Sequence, residues 1–141
     1  MKILITGANG FLGKVIVKEL DKDNKLFCLS RSSENYQISL ESEVPEFKQS
    51  FDLVIHAAGK AHSIPKSDSE KKQFYAVNVI GTQNLLKGIE KSDIPKHFVF
   101  ISSVSVYGQE LGANIIEEHP LEAIDAYGLS KIQAEKLIID W

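Results

Sequence analysis

Five apolar runs recur along the chain, and four of them are nearly continuous rather than alternating with polar residues. The runs are Lys2–Thr6, Lys25–Ser30, Tyr36–Leu40, Phe51–Ala57 and His97–Ser102. Continuous apolar strands are typical of parallel sheets, because helices cover both faces of such a sheet. Ser39 interrupts the third run, which therefore predicts a weaker strand at the sheet edge.

Between several of these runs, the apolar residues take up a helical spacing. One stripe consists of Leu12, Ile16 and Leu20, and a longer one of Phe74, Val77, Gly81, Leu85 and Ile89. A last helix is predicted from about Ala126 to Trp141, with Ile132 and Leu137 on its apolar side. Strands that alternate with helices predict an α/β fold, a doubly wound parallel sheet joined by right-handed crossovers.

The remaining connections are short or polar. Leu40–Ser50 is too short for a full crossover helix and predicts a turn or a short helix. The polar stretch Ser63–Lys72 predicts a solvated loop before the long helix. The chain reaches Trp141 within an amphipathic pattern and without a helix stop signal. We therefore expect one domain over residues 1–141 that stops before its sheet is complete.

Composition narrows the class of function. The 141 residues are 43% hydrophobic and 25% charged, as in ordinary globular domains, and carry a formal net charge of −3. This charge argues against a surface for nucleic acid or for an anionic membrane. The first apolar run is too short for a signal peptide or a membrane span. The single cysteine, Cys28, cannot form an internal disulfide, so we expect a small buried thiol in a cytoplasmic protein.

A glycine-rich turn directly follows the first strand and precedes the first helix. Its glycines permit a tight turn, close approach of the backbone to a pyrophosphate, and close packing of helix on strand. The amides and the positive end of the helix then bind the anion. The pattern therefore predicts a dinucleotide site rather than an ordinary turn. Its expected residues are Thr6, Gly7, Asn9, Gly10, Phe11, Leu12 and Gly13.

The end of the second strand decides which dinucleotide is preferred. A carboxylate there holds the ribose 2′-hydroxyl of NAD, whereas an arginine accommodates the 2′-phosphate of NADP. This chain has Ser30 and Arg31 at that point and no carboxylate before Glu34. The cofactor is expected to be NADP or NAD, with Arg31 favouring NADP; the alternative is a plain surface arginine.

Several polar residues are candidates for chemistry. Tyr127 and Lys131 lie four residues apart and share one face if helical. A free tyrosine titrates near ~10, and a neighbouring ammonium lowers that pKa. Serines at the end of the fifth strand point at the ligand crevice and can orient a substrate oxygen, or simply cap a turn. Asn78 lies on the apolar face of the long helix, where its amide can satisfy buried backbone or order a proton relay to the lysine.

The motifs together resemble those of the extended short-chain dehydrogenases/reductases, especially the nucleotide-sugar epimerases and reductases. Five segments occur in that family's order, namely Thr6–Gly13, His56–Gly59, Asn78–Thr82, Ser102–Gly108 and Tyr127–Lys131. The resemblance runs from Met1 to Trp141 and implies a Rossmann domain that binds NAD(P).

The resemblance also implies roles for individual residues. Ser103, Tyr127 and Lys131 would form the catalytic triad with Asn78 in support, and Tyr127 and Lys131 would also contact the cofactor. His56, Ala57, Ala58 and Gly59 would lie against the cofactor. No metal is expected, since His62, His97 and His119 show no ligand spacing.

Within the family, the resemblance favours some activities over others. Sugar 4,6-dehydratases usually carry Thr-Asp-Glu where this chain has Ser103-Val104-Ser105, so dehydration is disfavoured. Epimerisation or keto-reduction of a UDP- or dTDP-type nucleotide-sugar is the expectation. A reductase of non-sugar carbonyls and a non-catalytic NADP-sensing module stay open as alternatives.

Relatives also differ from this chain in extent. They continue into a smaller carboxyl-terminal domain that grips the substrate, so the 141 residues alone are expected to be nearly inactive. In relatives, helices at about 70–91 and 126–141 pair as homodimers. Solvent-facing apolar residues such as Phe74 and Leu137 would serve that contact, although core packing explains them equally well.

Overall fold

A parallel sheet of five strands carries helices on both faces in the computed structural model, which describes residues 1–33, 35–61 and 65–141. The strands are β1 Lys2–Thr6, β2 Lys25–Ser30, β3 Tyr36–Gln37, β4 Leu53–His56 and β5 His97–Phe100. The helices are α1 Phe11–Leu20, α2 Asp68–Tyr75, α3 Gly81–Glu90 and α4 Ala126–Asp140. A π-helical turn, Ala76–Ile80, joins α2 to α3, and a 3₁₀ turn, Val104–Tyr107, follows β5.

The strand order creates a crevice at one edge of the sheet. The order is β3-β2-β1-β4-β5, and all neighbouring pairs are parallel. Thr6 at the end of β1 pairs with Leu29 on one side and with His56 on the other. Because the chain winds in opposite directions from β1, the connections leaving β1 and β4 diverge and open a ligand crevice. The predicted doubly wound α/β fold and the edge position of the third strand are confirmed.

Two apolar layers hold the helices on the sheet. On one face, Leu4 and Val54 pack against Leu85 and Ile89 of α3, beside a cluster of edge-to-face aromatic rings. That cluster is Phe27, Tyr36, Phe47 and Phe51. On the other face, strand residues such as Ile5 pack against α1. Residues 40–50 form the predicted turn, which closes the aromatic side of the sheet.

Some expectations of burial are wrong. Leu12 is 43% exposed, so the apolar face of α1 is covered only at Ile16, Val17 and Leu20. Along β5 burial alternates, and Val99 is 43% exposed, because β5 is an edge strand covered on one face only. Cys28 is half-buried rather than enclosed, although burial still raises the pKa of its thiol.

Phe74 is not a solvent-facing residue of α2. Its side chain is fully buried, with its ring 6.0 Å from the ring of Tyr127 on α4. Core packing within one chain therefore accounts for Phe74, while Leu137 is half-buried.

Helix α2 begins earlier than the polar composition predicted. The segment Ser63–Lys72 is helical from Asp68 onwards, while Ser63 and Ile64 lie outside the described residues. Ser67 accepts a hydrogen bond from the Glu70 amide at 3.2 Å, and the Glu70 carboxylate accepts from the Lys66 amide at 2.6 Å. The first bond satisfies an amide that the first turn would otherwise leave open, and the second ties the residue before the cap to the helix, so polar residues start α2.

No helix within the described residues is both long enough and apolar enough to cross a lipid bilayer.

The cap at Ser67 gives a test of this local structure. Replacing Ser67 with alanine removes the acceptor for the Glu70 amide and should lower the free energy of unfolding by roughly 1 kcal/mol. The shift would be measured by urea unfolding monitored by circular dichroism. Ser69→Ala, an exposed serine one position into the same helix, is the matched control and should leave the midpoint nearly unchanged. Equal midpoints for Ser67→Ala and the wild type would contradict the assignment.

Candidate cofactor and active site

A cleft of about 640 Å³ opens at the carboxyl ends of β1, β2 and β4, within the size range of small-molecule sites. Eight of the predicted cofactor residues line it: Gly7, Asn9, Gly10, Ser30, Arg31, Ala57, Ala58 and Gly59. Ser32, the second hydroxyl beside Arg31, also lines it, and residues that sequence reasoning missed complete the wall, chiefly Ile38, Leu40, Glu41, Lys60, Gln73, Ala76 and Val77. They come from separate segments and carry no shared motif, so only the fold reveals them.

The glycine-rich turn is packed too tightly for side chains. Gly7 has φ +71°, and a Cβ there would lie 2.6 Å from the Ala58 amide nitrogen. A Cβ on Gly13 would lie 2.1 Å from the Gly7 carbonyl oxygen. Gly10 is the N-cap of α1 and offers no side chain to the amides of the first turn. Gly7 and Gly10 line the cleft, so the N-terminus of α1 lies beside it, and a helix N-terminus suits a pyrophosphate.

Asn9 connects the glycine-rich turn to the end of β2. Its side-chain nitrogen donates to Ser30 Oγ at 3.0 Å and to Ser32 Oγ at 2.9 Å. Arg31 lies between these serines, is exposed and lines the cleft. The two hydroxyls and the guanidinium are thus gathered where the adenosine ribose of a dinucleotide would lie. Glu34, the first carboxylate after β2, lies outside the described residues.

His56 does not line the cleft but anchors a buried hydrogen-bond chain. The Ala58 amide donates to Thr6 Oγ1 at 3.1 Å, and Thr6 Oγ1 lies 2.6 Å from His56 Nδ1. His56 Nε2 lies 2.8 Å from Thr82 Oγ1, which donates to the Asn78 carbonyl at 2.6 Å. Because the Thr82 proton goes to Asn78, Thr82 accepts from His56 Nε2, and Nδ1 accepts from Thr6. Burial lowers the pKa of His56 to about 3, so the ring is neutral.

Asn78 lies in the π-helical turn and is 2% exposed. Its Oδ1 accepts from the Lys60 amide at 2.7 Å, and its Nδ2 donates to the Lys60 carbonyl at 3.1 Å. Nδ2 also donates to Ser130 Oγ on α4 at 2.8 Å. The Asn78 side-chain amide therefore satisfies the backbone groups of Lys60, which is one of the two roles predicted for it. It also connects the loop after β4 to α4 through Ser130. Single π turns inside helices recur at functional sites.

Lys131 is a buried cation at the centre of the candidate active site. Its side chain is 5% exposed, and its Nζ donates to the Ile101 carbonyl at 2.7 Å and lies 4.6 Å from the centroid of the Phe100 ring. A Cβ placed on Gly59 would lie 3.3 Å from both Lys131 Nζ and Asn78 Oδ1, so the three residues meet. Burial lowers the pKa of Lys131 to about 8, and the charge of Glu135 opposes that shift.

The structure places Tyr127 and Ser103 near this cluster without joining them directly. Tyr127 is the second residue of α4, and the N-cap Asp125 accepts from the Tyr127 and Gly128 amides at 2.9 and 3.0 Å. Tyr127 and Lys131 therefore lie one turn apart on one helix, as predicted. Ser103 caps the 3₁₀ turn, accepting from the Ser105 amide at 3.2 Å and donating to Ser105 Oγ at 3.1 Å.

The remaining predicted site residues differ in how far they are buried. Thr6 is buried on the His56 chain, and Gly13 lies inside the packed turn, whereas Phe11 is 94% exposed. His62 lies outside the described residues. Within residues 1–33, 35–61 and 65–141, no three His, Cys, Asp or Glu side chains are grouped so that they could hold a metal ion.

A parallel sheet with a glycine-rich turn at its switch point defines a Rossmann-type nucleotide-binding domain. The family model described as "NAD dependent epimerase/dehydratase family" matches residues 3–141. The chain therefore belongs to that family, as the order of its motifs implied.

Individual relatives agree with this assignment. The chain is 34% identical to the UDP-glucose 4-epimerase of Vibrio cholerae, covering 97% of this chain and 46% of that protein. It is 31% identical to the GDP-6-deoxy-D-mannose reductase of Pseudomonas aeruginosa, covering 99% and 47%. The solved structure of RMD from Pseudomonas aeruginosa complexed with NADPH superposes with a TM-score of 0.78 at 28% identity, covering 99% and 49%. The chain thus spans about half the length of the curated relatives it matches.

The neutral state of His56 predicts a pH dependence of stability. Its pKa is near 6.5 in the unfolded chain and about 3 in the folded chain, so between these values only the unfolded chain binds the proton. The stability contributed by neutral His56 is complete above pH 6.5 and is lost as the pH falls toward 3. The expected loss is at most about 1.4 kcal/mol per pH unit.

This dependence can be checked by urea unfolding between pH 7 and pH 4. His56→Gln should show a shallower decline than the wild type, whereas His97→Gln, at an exposed histidine, should not. Nitrogen NMR of the imidazole rings should show His56 neutral and protonated on Nε2 at pH 5. A charged His56 ring at that pH would refute the assignment.

Proposed function

We propose that the chain is the cofactor-binding part of an NAD(P)-dependent nucleotide-sugar epimerase or keto-sugar reductase. The observation that carries the proposal is the meeting of Lys131, Asn78 and Gly59 beside a glycine-lined cleft, with Tyr127 one turn before Lys131. Family membership and the names of the relatives support the same class.

The residues would divide the work as follows. A bound nicotinamide cofactor supplies a hydride acceptor or donor for one sugar carbon. The first amides of α1, which have no partner within the helix, hold the pyrophosphate, and the glycines at 7, 10 and 13 let the backbone approach it. Tyr127, one helical turn before Lys131, exchanges a proton with the hydroxyl on the reacting carbon. Ser103 holds the substrate oxygen after its hydroxyl turns from Ser105.

The buried chain through His56 has a supporting part in this scheme. Thr6, His56 and Thr82 connect the glycine-rich turn to the carbonyl of Asn78, so the cofactor loops and the catalytic helix are positioned together. None of these three side chains lines the cleft. Their contribution is therefore to geometry, which supplies much of the rate in enzymes that orient two reactants.

Residues 1–141 are proposed to form the dinucleotide domain, with substrate grip supplied by sequence equivalent to the other half of the relatives. Turnover by the 141 residues alone is expected to be very low, because positioning of both reactants is incomplete. A homodimer through α2, α3 and α4 is supported by exposed apolar side chains there, namely Tyr75, Leu129 and Ile139.

The first test is an assay of the complete reading frame that encodes these residues. It would be incubated with a UDP-linked N-acetylhexosamine and, separately, with a 4-keto nucleotide-sugar, following nicotinamide absorbance and product sugars together. Isomerised sugar without net loss of reduced cofactor indicates an epimerase, and stoichiometric loss of NADPH indicates a reductase. Tyr127→Phe should lower kcat by roughly 10²- to 10⁴-fold and leave cofactor binding intact.

Two results would argue against the proposal. Tight cofactor binding without either reaction would favour a non-sugar carbonyl substrate or a non-catalytic binding module. Full activity of Tyr127→Phe would remove Tyr127 from the proposed proton transfer.

Cofactor preference is a separate prediction. We expect NADPH to bind more tightly than NADH, because Arg31, Ser30 and Ser32 surround the position of the 2′-phosphate. Arg31→Gln should weaken NADPH binding roughly tenfold and change NADH binding by less than about twofold, measured by calorimetry. Lys22→Gln, an exposed lysine beyond the end of α1, removes the same charge and should change neither. Equal losses for both cofactors in Arg31→Gln would contradict the preference.

A further inference from the structure

Glu135 extends the stripe on α4 that carries Tyr127 and Lys131. The three residues are spaced by four, which places them on one face of the helix over two turns. Glu135 is half-buried, and its carboxylate accepts a hydrogen bond from the Ser102 hydroxyl. Ser102 lies 33 positions away in the chain, so the bond is a tertiary contact rather than a local one.

Two neighbouring residues after β5 are thereby fastened to two successive turns of α4. The Ile101 carbonyl accepts from Lys131 Nζ at 2.7 Å, and the Ser102 hydroxyl donates to Glu135. The next residue, Ser103, is the proposed holder of the substrate oxygen. Among the residues that the structure describes, its hydroxyl bonds within its own turn, to Ser105. The position of Ser103 relative to Tyr127 thus depends on the two bonds that precede it.

The charge of Glu135 acts on the same lysine. Burial disfavours the ammonium of Lys131, and Glu135 is the group whose charge favours it. Of the other titratable groups described nearby, His56 on β4 is neutral, and Lys60, whose neighbour Gly59 adjoins Lys131 Nζ, cannot carry a negative charge. Glu90 on α3 is exposed, and its carboxylate is bound by the Trp141 indole at 3.0 Å.

We propose that Glu135 is a positioning residue of the active site, one that locks the end of β5 onto α4 and holds the Lys131 ammonium one helical turn from Tyr127. Its effect on catalysis rests on the function proposed above, whereas its effect on Lys131 does not. A glutamine at 135 keeps an oxygen acceptor for Ser102 but removes the charge. An aspartate keeps the charge on a shorter arm. The two substitutions therefore separate geometry from electrostatics.

The first measurement is the ionisation of Lys131 in the 141-residue chain. Competitive acetylation with acetic anhydride from pH 6 to pH 11, read by mass spectrometry of the peptides, gives a midpoint for each lysine. Glu135→Gln should lower the Lys131 midpoint by at least roughly half a pH unit, because a neutral neighbour no longer favours the ammonium. Exposed Lys22, which lies beyond the end of α1 and away from α4, serves as the internal reference for the labelling reaction.

Matched variants keep the result interpretable. Asp140→Asn removes an exposed carboxylate from the same helix and should leave the Lys131 midpoint unchanged. Glu135→Asp should restore most of the wild-type midpoint, and circular dichroism would check that each variant is folded. Equal midpoints in the wild type and Glu135→Gln, or a shift of the same size in Asp140→Asn, would overturn the proposal.

The catalytic consequence is tested in the complete reading frame. Glu135→Gln should lower kcat roughly tenfold, with KM within about twofold, and should displace the pH profile of kcat, since the residue touches no substrate. An unaltered kcat and pH profile would overturn the catalytic part. If the wild-type protein lacks the proposed activity, that result refutes the proposed function, and the acetylation midpoints still decide the role of Glu135.

Discussion

A lysine buried in the middle of a small domain constrains everything around it. Removing an ammonium from water costs several kcal/mol unless hydrogen bonds and charges replace the lost solvation. For Lys131 those replacements come from separate parts of the chain: the Ile101 carbonyl, the face of Phe100 and the charge of Glu135. Asn78 and Gly59 close the remaining side. The end of β5, the π turn and α4 must therefore be correctly assembled before the lysine is tolerated.

The same assembly is coupled to the cofactor cleft through polar contacts. Thr6 is the last residue of β1, directly before the glycine-rich turn, and Thr82 lies in α3, which follows the π turn of Asn78. The neutral ring of His56 joins them in the sheet interior. If His56 were charged, its Nδ1 would carry a proton and could no longer accept the hydrogen bond from Thr6. The low pKa of His56 and the placement of Asn78 are thus two consequences of one buried arrangement.

The family assignment and the geometry of the site agree, but the relatives behind the assignment are about twice as long as this chain. The alignments with these relatives cover nearly all of this chain and about half of each relative. Within that extent lie the glycine-rich turn, the cleft and all four side chains proposed for chemistry. The family assignment therefore rests on this half of the relatives, and the substrate is left to the proposed function.

The sequence was enough to predict the class of fold, which the structure confirms, and to name candidates for a site at the carboxyl ends of the strands. Continuous apolar strands, helical stripes and glycines between a strand and a helix report local requirements of the backbone, and such requirements are written in neighbouring residues. Tyr127 and Lys131 were predictable for the same reason, because one helix sets their spacing. Only the early start of α2 was a local feature overlooked, although Ser67 and Glu70 carry a capping pattern.

The tertiary structure alone decided how distant segments meet. That β5 has one open face, that Phe74 is buried against Tyr127, and that His56 supports rather than lines the cleft depend on which elements pack together. The link between Ser102 and Glu135 likewise joins residues whose spacing carries no signal. Burial and hydrogen bonding are properties of three-dimensional surroundings, so a single sequence offers candidates for such contacts, and the packed fold selects among them.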